Sequence, residues 1–192
     1  DSFDCPGAND NASGVAAILE LARTIDKNDC TKTIRLVCFT NEEHFFQSKG
    51  MGSYYYAKRC KKENEKILGM IALETIGFYS NKSNSQSFPS GMDKFYPTKG
   101  NFIAFVGNTS SESFLKRCIS SFRQNTKFPS QGLIAPSWLP GVSRSDHGQF
   151  WEFGYPAIML TDTADFRYPH YHTIEDTPDK VDFDSIARIV EG

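Results

Sequence analysis

No apolar run in this chain approaches the roughly 20 residues needed to cross a bilayer; the longest candidate, Gly69 to Ile76, is strand-sized and broken by Glu74. Surplus positive charge is also lacking. A formal net charge of -2 gives no ground for nucleic-acid binding, which usually calls for a strongly basic face. The five cysteines include no Cys-x-x-Cys pair, and their odd number leaves at least one outside any disulfide framework. No Gly-x-Ser-x-Gly elbow points to serine chemistry, and neither an internal repeat nor a linker divides the chain. There is no initiator Met and no signal-like segment; a chain opening Asp1-Ser2-Phe3-Asp4 is expected to be the interior of a longer protein. What remains is ordinary for a globular protein, with 39% hydrophobic and 23% charged residues. Residues 1–192 are expected to form a single domain with its own core.

Two hydrophobic periods alternate along the chain. Val15, Ile18, Leu19, Ala22 and Ile25 recur at helical spacing behind a small, polar turn at Gly7 to Gly14. Thr33 to Thr40 is a β-branched, apolar run of strand length, and a helix is expected over Gly52 to Cys60. Met70 to Ile76, Phe102 to Val106 and Ala157 to Thr161 read as further strands. Helices are expected around Phe114 to Phe122, over Gln149 to Phe153, and from Asp184 onward. Residues 80–99, rich in Ser, Asn, Pro, Gly and Lys, read as a long surface loop. Strands alternating with helices predict an α/β sheet covered on both faces. Chemistry in such sheets collects at the carboxyl ends of strands.

Several acidic or histidine-bearing motifs fall at such places. Asp10, in Gly7-Ala8-Asn9-Asp10-Asn11-Ala12-Ser13-Gly14, reads by itself as a helix N-cap. Asn41-Glu42-Glu43 follows a strand; one carboxylate there could bind metal while its neighbour takes a proton from water, or both could be solvated. Glu74 stands in an apolar strand, where an acid is rare without a partner. His172 belongs to Pro169-His170-Tyr171-His172-Thr173, and Asp176-Thr177-Pro178 reads as the turn that ends this loop. Ser143-Arg144-Ser145-Asp146-His147-Gly148 contains the residue types of a triad, but neighbours in sequence rarely converge on one centre. Taken together, Asp10, Glu43, Glu74 and His172 supply hard oxygens and one imidazole, a set suited to zinc or a similar divalent ion. Phe78, Tyr79, Phe150 and Trp151 are candidates for an apolar substrate pocket or for plain core, and Arg144 is a further candidate substrate contact.

In this order the motifs resemble the zinc aminopeptidase family that also contains glutaminyl cyclases and the transferrin-receptor ectodomain. The matching segments are Asp1-Ser2, Gly7 to Gly14, Asn41-Glu42-Glu43, Leu73-Glu74-Thr75-Ile76-Gly77, Ser145-Asp146-His147 and Tyr171-His172-Thr173. The resemblance implies a three-layer α/β/α fold with a mostly parallel mixed sheet, here without its N-terminal strands and helices. It implies two zinc ions bridged by Asp10, one site completed by Glu43 and His172, the other served by Glu74 where many relatives have Asp. Glu42 would be the general base acting on a metal-bridging water, and Tyr171 a donor to the developing oxyanion. Asp1 matches an Asp that orients a metal-binding His expected two residues upstream, outside this chain. Asp146 and His147 would support the pocket.

The implied substrates are peptide or protein N-termini, hydrolysed at the first peptide bond. A glutaminyl cyclase using one zinc and a non-catalytic ectodomain are the alternatives. The resemblance leans toward a secreted or periplasmic compartment and leaves the oligomeric state open.

Overall fold

A computed structural model describes residues 4–26, 30–43, 48–89 and 92–192. Its frame is a four-stranded mixed sheet of β1 (Met70–Glu74), β2 (Ile103–Gly107), β3 (Ser130–Ile134) and β4 (Ala157–Thr161), in the spatial order β1-β4-β2-β3. The β1–β4 and β2–β3 pairings are parallel, and β2 runs antiparallel to β4. This is the predicted α/β architecture, with the sheet mostly parallel but mixed.

Alternation along the central strands sends side chains to two cores. Ile103 and Phe105 of β2 join Ile158 and Leu160 of β4 on one face, whereas Ala104, Val106 and Met159 point to the other. The first face is covered by α1 (Ser13–Thr24), α3 (Glu112–Asn125) and α5 (Phe183–Val190), through Ala17, Leu115, Ile119, Phe122, Ile186 and Ile189. Against the other face, α2 (Gly52–Lys62) and α4 (His147–Glu152) enclose a cluster of Ala57, Cys60, Phe150, Tyr155 and Ala157. Helix α5 starts where its Asp182 cap accepts the Ser185 N–H at 2.9 Å.

Two sequence expectations need correction. Thr33 to Thr40 forms no strand: it pairs with none of the strands among the described residues, and Ile34 and Leu36 are 53% and 37% exposed. Strand propensity needs a ladder partner to become a strand, and this run lacks one here. Conversely, β3 was not legible. Ser130-Gln131-Gly132-Leu133-Ile134 has a central glycine and few β-formers, and its place at the sheet edge comes from pairing with β2 rather than from its own composition.

Residues 80–99, apart from 90 and 91, carry turns and no regular element, yet they are tied down. Buried Gln86 accepts from Arg167 Nε at 2.8 Å, and the Arg167 guanidinium also donates to the Phe102 carbonyl at 2.8 Å.

Ile71 and Ile158 are register partners with opposite environments, the first 45% exposed on the edge strand and the second fully buried. Ile158→Ala should cost about 2–5 kcal/mol by cavity formation, whereas Ile71→Ala should cost under about 1 kcal/mol. Urea unfolding midpoints of the two variants check this contrast.

Candidate metal centre

The first turn of the chain is shaped by what its alternate residues grip. Asn9 Oδ1 accepts the Gly77 N–H at 2.8 Å. The Asn11 amide donates to the Leu73 carbonyl at 2.8 Å and accepts the Thr75 N–H at 3.0 Å. Ser13 Oγ accepts from Ile76 N at 3.1 Å. Residues 9, 11 and 13 thus clasp the carboxyl end of β1 and its continuation, and Asp10 between them is left to face the site. Helix α1 begins only at Ser13, with no side-chain cap, so Asp10 does not serve as an N-cap. Gly14 and Gly77 are dictated by this clasp: a Cβ on Gly14 would sit 2.6 Å from the Leu73 carbonyl oxygen, and one on Gly77 would sit 2.8 Å from Asn9 Oδ1.

Three left-handed residues set the other groups. Asn41 (φ 61) precedes Glu42, Thr75 (φ 46) follows Glu74, and His172 itself has φ 57. Asparagine tolerates this region, but a β-branched threonine does not adopt it without support. Thr75 is held by the Asn11 bond and by a 3.1 Å contact between its hydroxyl and that of Thr161. Backbone strain of this kind costs on the order of 1–3 kcal/mol and collects at functional sites.

Asp10, Glu43 and His172 converge. Their nearest donor atoms all lie within 4.8 Å of one another, with His172 Nε2 2.9 Å from Asp10 Oδ2 and 3.2 Å from Glu43 Oε2. The contact with Asp10 is close but poorly directed for a hydrogen bond, so the buried Oδ2 has no hydrogen-bond donor. Glu74, the last residue of β1, is buried beside Asp10, and its Oε2 accepts the Ser145 hydroxyl at 2.7 Å. Burial raises the carboxyls of Asp10, Glu43 and Glu74, helped by the Asp10 charge at Glu43 and Glu74 and by the Asp176 charge at Asp10, with His172 opposing at Asp10 and Glu43. Such a cluster is costly without protons or a cation. The orphaned Asp10 oxygen, the crowded carboxylates and the imidazole therefore fit a divalent ion with zinc-like preferences.

Glu42 is half-buried beside this cluster and pushed up to about 8, first by burial and then by the charges of Glu43, Asp146 and Asp10, with Arg144 opposing. The Tyr171 ring stacks on His172 with centroids 3.9 Å apart. Burial, followed by the Asp10 and Glu74 charges, raises its phenol far enough to keep it a neutral donor.

Arg144 lies at the mouth of an apolar pocket that also reaches Glu74 and Tyr171. Phe150 does not reach that pocket; it is buried against Phe39 and Tyr56. Trp151 packs on the core clusters and Phe78 on Tyr168. His147 is fully buried, held at about 4 by desolvation, with Nε2 2.8 Å from the Val142 carbonyl. Asp1 lies outside the described residues.

Sequence reasoning passed over Asp176, read as part of a turn. It is fully buried, and its two oxygens accept the backbone N–H groups of Asn9 and Asp10 at 2.8 and 3.0 Å and the Tyr168 hydroxyl at 2.8 Å. The loop bearing His172 is thereby locked to the loop bearing Asp10. Ser145 was likewise visible only as part of a motif. A signal existed for Asp176, since an acid four residues beyond His172 belongs to the same loop, but nothing in sequence showed that it points inward.

Two outcomes follow from this geometry. Asp176→Ala should weaken zinc binding by about 10- to 100-fold, the usual scale for a lost supporting contact, while Asp176→Asn retains part of the affinity; chelator competition measures both. The raised carboxyls bind protons more tightly folded than unfolded, so their stabilising protonation is complete below the unfolded value near 4.3 and is lost as pH rises through the folded values, up to about 8 for Glu42. Thermal unfolding of zinc-free protein should therefore shift to lower temperature between about pH 5 and 8, and added zinc should flatten that slope.

The chain and its fold have counterparts among known proteins. An uncharacterised Escherichia coli K12 protein, YfbL, is 37% identical over 189 residues, covering 97% of this chain and 58% of that protein. A probable leucine aminopeptidase 1 of Trichophyton verrucosum is 26% identical, covering 97% of this chain and 47% of its own length. The chain thus spans about half the length of the curated relatives it matches. Among solved structures, BSAP, a zinc aminopeptidase from Bacillus subtilis, superposes with a TM-score of 0.72 at 22% identity, over 98% of this chain and 41% of that one. An aminopeptidase from Aneurinibacillus sp. strain AM-1 gives a TM-score of 0.64 at 26% identity, over 98% and 38%. With the model of peptidase family M28 matching all of residues 1–192, these likenesses place the chain in one family: it belongs to the M28 peptidases.

Proposed function

We propose that residues 1–192 supply the metal-binding part of a zinc-dependent aminopeptidase that hydrolyses the first peptide bond of a peptide or protein. The observation that carries this reading is the convergence of Asp10, Glu43 and His172, with Glu42, Glu74 and Tyr171 beside them, at the rim of an apolar pocket. Asp10, Glu43 and His172 would hold one ion, and Asp10 with Glu74 would contribute to a second. Zinc at such a centre polarises a carbonyl and brings the pKa of water toward neutrality. Names of relatives that include zinc metalloprotease and leucine aminopeptidase agree with this chemistry.

The chain's own residues divide the remaining work. Glu42 takes a proton from the attacking water as its oxygen bonds to the scissile carbonyl carbon, then gives a proton to the departing amine nitrogen as the C–N bond breaks. Burial, the first cause of the raised Glu42 carboxyl, favours its taking up a proton. The neutral Tyr171 phenol donates to the carbonyl oxygen as negative charge grows there. Ser145 and Asp176 hold Glu74 and Asp10 in place.

Glu42→Gln keeps the shape and removes the base. In zinc-loaded protein it should lower kcat for amino-acid arylamides by about 10²- to 10⁴-fold, with zinc content unchanged by atomic absorption. Retained turnover would remove Glu42 from this role. Cyclisation of N-terminal glutamine without release of N-terminal residues would overturn the peptidase reading itself.

A further inference from the structure

The pocket beside the metal centre has apolar walls, among them Phe88, Phe102, Val106, Met159 and Phe166, and its lining includes Glu74 and Tyr171. A substrate whose first carbonyl lies at Tyr171 would therefore drop its N-terminal side chain between these walls. Several polar groups along the lining are committed to one another. Gln86 bonds to the Ser87 carbonyl, to the Thr163 hydroxyl and to Arg167, and the Ser87 hydroxyl donates to the Phe166 carbonyl. The Thr161 hydroxyl meets that of Thr75.

Apart from buried Glu74, ionic character in the lining is confined to its part-exposed mouth. There Arg144 Nη1 donates to Asp165 Oδ1 at 2.7 Å, with the two side chains 33% and 43% exposed. Arg144 shares the pocket lining with Tyr171 and Glu74. Asp165 is delivered by a tight corner after β4, where Thr163 and Ala164 both have positive φ and Asp162 Oδ1 accepts the Ala164 N–H at 2.9 Å. The position of Asp165 is thus fixed by backbone rather than by its partner.

From this arrangement we infer that the Arg144–Asp165 pair is a charge filter: it neutralises the mouth so that the pocket selects uncharged, apolar N-terminal residues, and removing either partner opens the pocket to side chains of that partner's charge. An acidic substrate side chain would meet Asp165 and find Arg144 already engaged; a basic one would meet Arg144. Without the Asp165 charge, the guanidinium is left with a free planar donor face, the geometry that carboxylates bind best. Without Arg144, Asp165 is an unpaired anion at the rim of an apolar cavity, where an ammonium group gains most from it. The inference rests on the aminopeptidase reading for the placement of the side chain, but the selectivity can be measured without turnover.

The test compares zinc-loaded protein with Asp165→Asn and Arg144→Met on the 4-nitroanilides of Leu, Glu and Lys, and in parallel on binding of the three corresponding amino-acid hydroxamates by calorimetry. Unmodified protein should favour Leu over Glu and over Lys by about 100-fold or more in kcat/KM, since a charge in an apolar pocket is costly. Asp165→Asn should narrow the Leu-to-Glu ratio by about 10-fold or more, and Arg144→Met the Leu-to-Lys ratio by a similar factor. Each ratio is taken within one variant, so a general loss of activity cancels. A preference of the unmodified protein for Glu or Lys, or ratios that neither substitution moves by more than about twofold, would overturn the filter. If no anilide is cleaved, the peptidase reading fails, and the hydroxamate ratios decide the filter by the same thresholds.

Discussion

Asp10 is surrounded by groups that should repel it. The Asp176 charge acts against its carboxylate, its own charge acts against those of Glu43 and Glu74, and one of its oxygens is buried without a donor. A fold brings such charges together only if neutral hydrogen bonds fix the backbone that carries them. Here Asn9, Asn11 and Ser13 grip the end of β1, and Asp176 grips the Asn9 and Asp10 amides from the opposite side. The small residues around them follow from the same constraint, since a side chain on Gly14 or Gly77 would displace the gripping groups. Much of what is unusual in the sequence between Gly7 and Gly14 is thus the cost of holding one carboxylate where electrostatics alone would not leave it.

The sheet serves this arrangement by bringing loops to one edge. Glu74 closes β1, and the corner carrying Asp162 and Asp165 follows β4, its parallel neighbour. The antiparallel β2 and edge strand β3 extend the apolar surface away from the centre; β2 lends Val106 to the pocket, and Phe102 just before it lends a carbonyl to the anchor. Residues 80–89 and 92–99 belong to the same device. They are polar in composition but are drawn over the pocket by buried Gln86 and Arg167.

The fold was legible where period and composition agreed. The helices at Ser13–Thr24 and Glu112–Asn125 and the strands at Met70–Glu74 and Ala157–Thr161 declare themselves through apolar spacing. Thr33 to Thr40 declares itself equally well and forms no strand, because ladder pairing is a property of two segments and cannot be read from one. Ser130–Ile134 is the converse case. Among the site residues, Asp10, Glu43 and His172 are brought together as a metal-type cluster, but the separation of 166 residues between Asp10 and Asp176 hides their contact from any local reading. Phe150 and Arg144 illustrate the remaining limit. Which way a side chain faces depends on helix and loop placement, so that Phe150 enters the core while Arg144 reaches the pocket.

The clasp between Asp176 and the Asn9–Asp10 amides joins segments some 166 residues apart. Contacts of that separation form late, since the intervening chain must first be ordered. Until the segment carrying His172 and Asp176 has been synthesised and docked, Asp10 has neither its imidazole neighbour nor its backbone anchor. The metal centre would thus become competent only after the 166 residues that separate Asp10 from Asp176 have been synthesised.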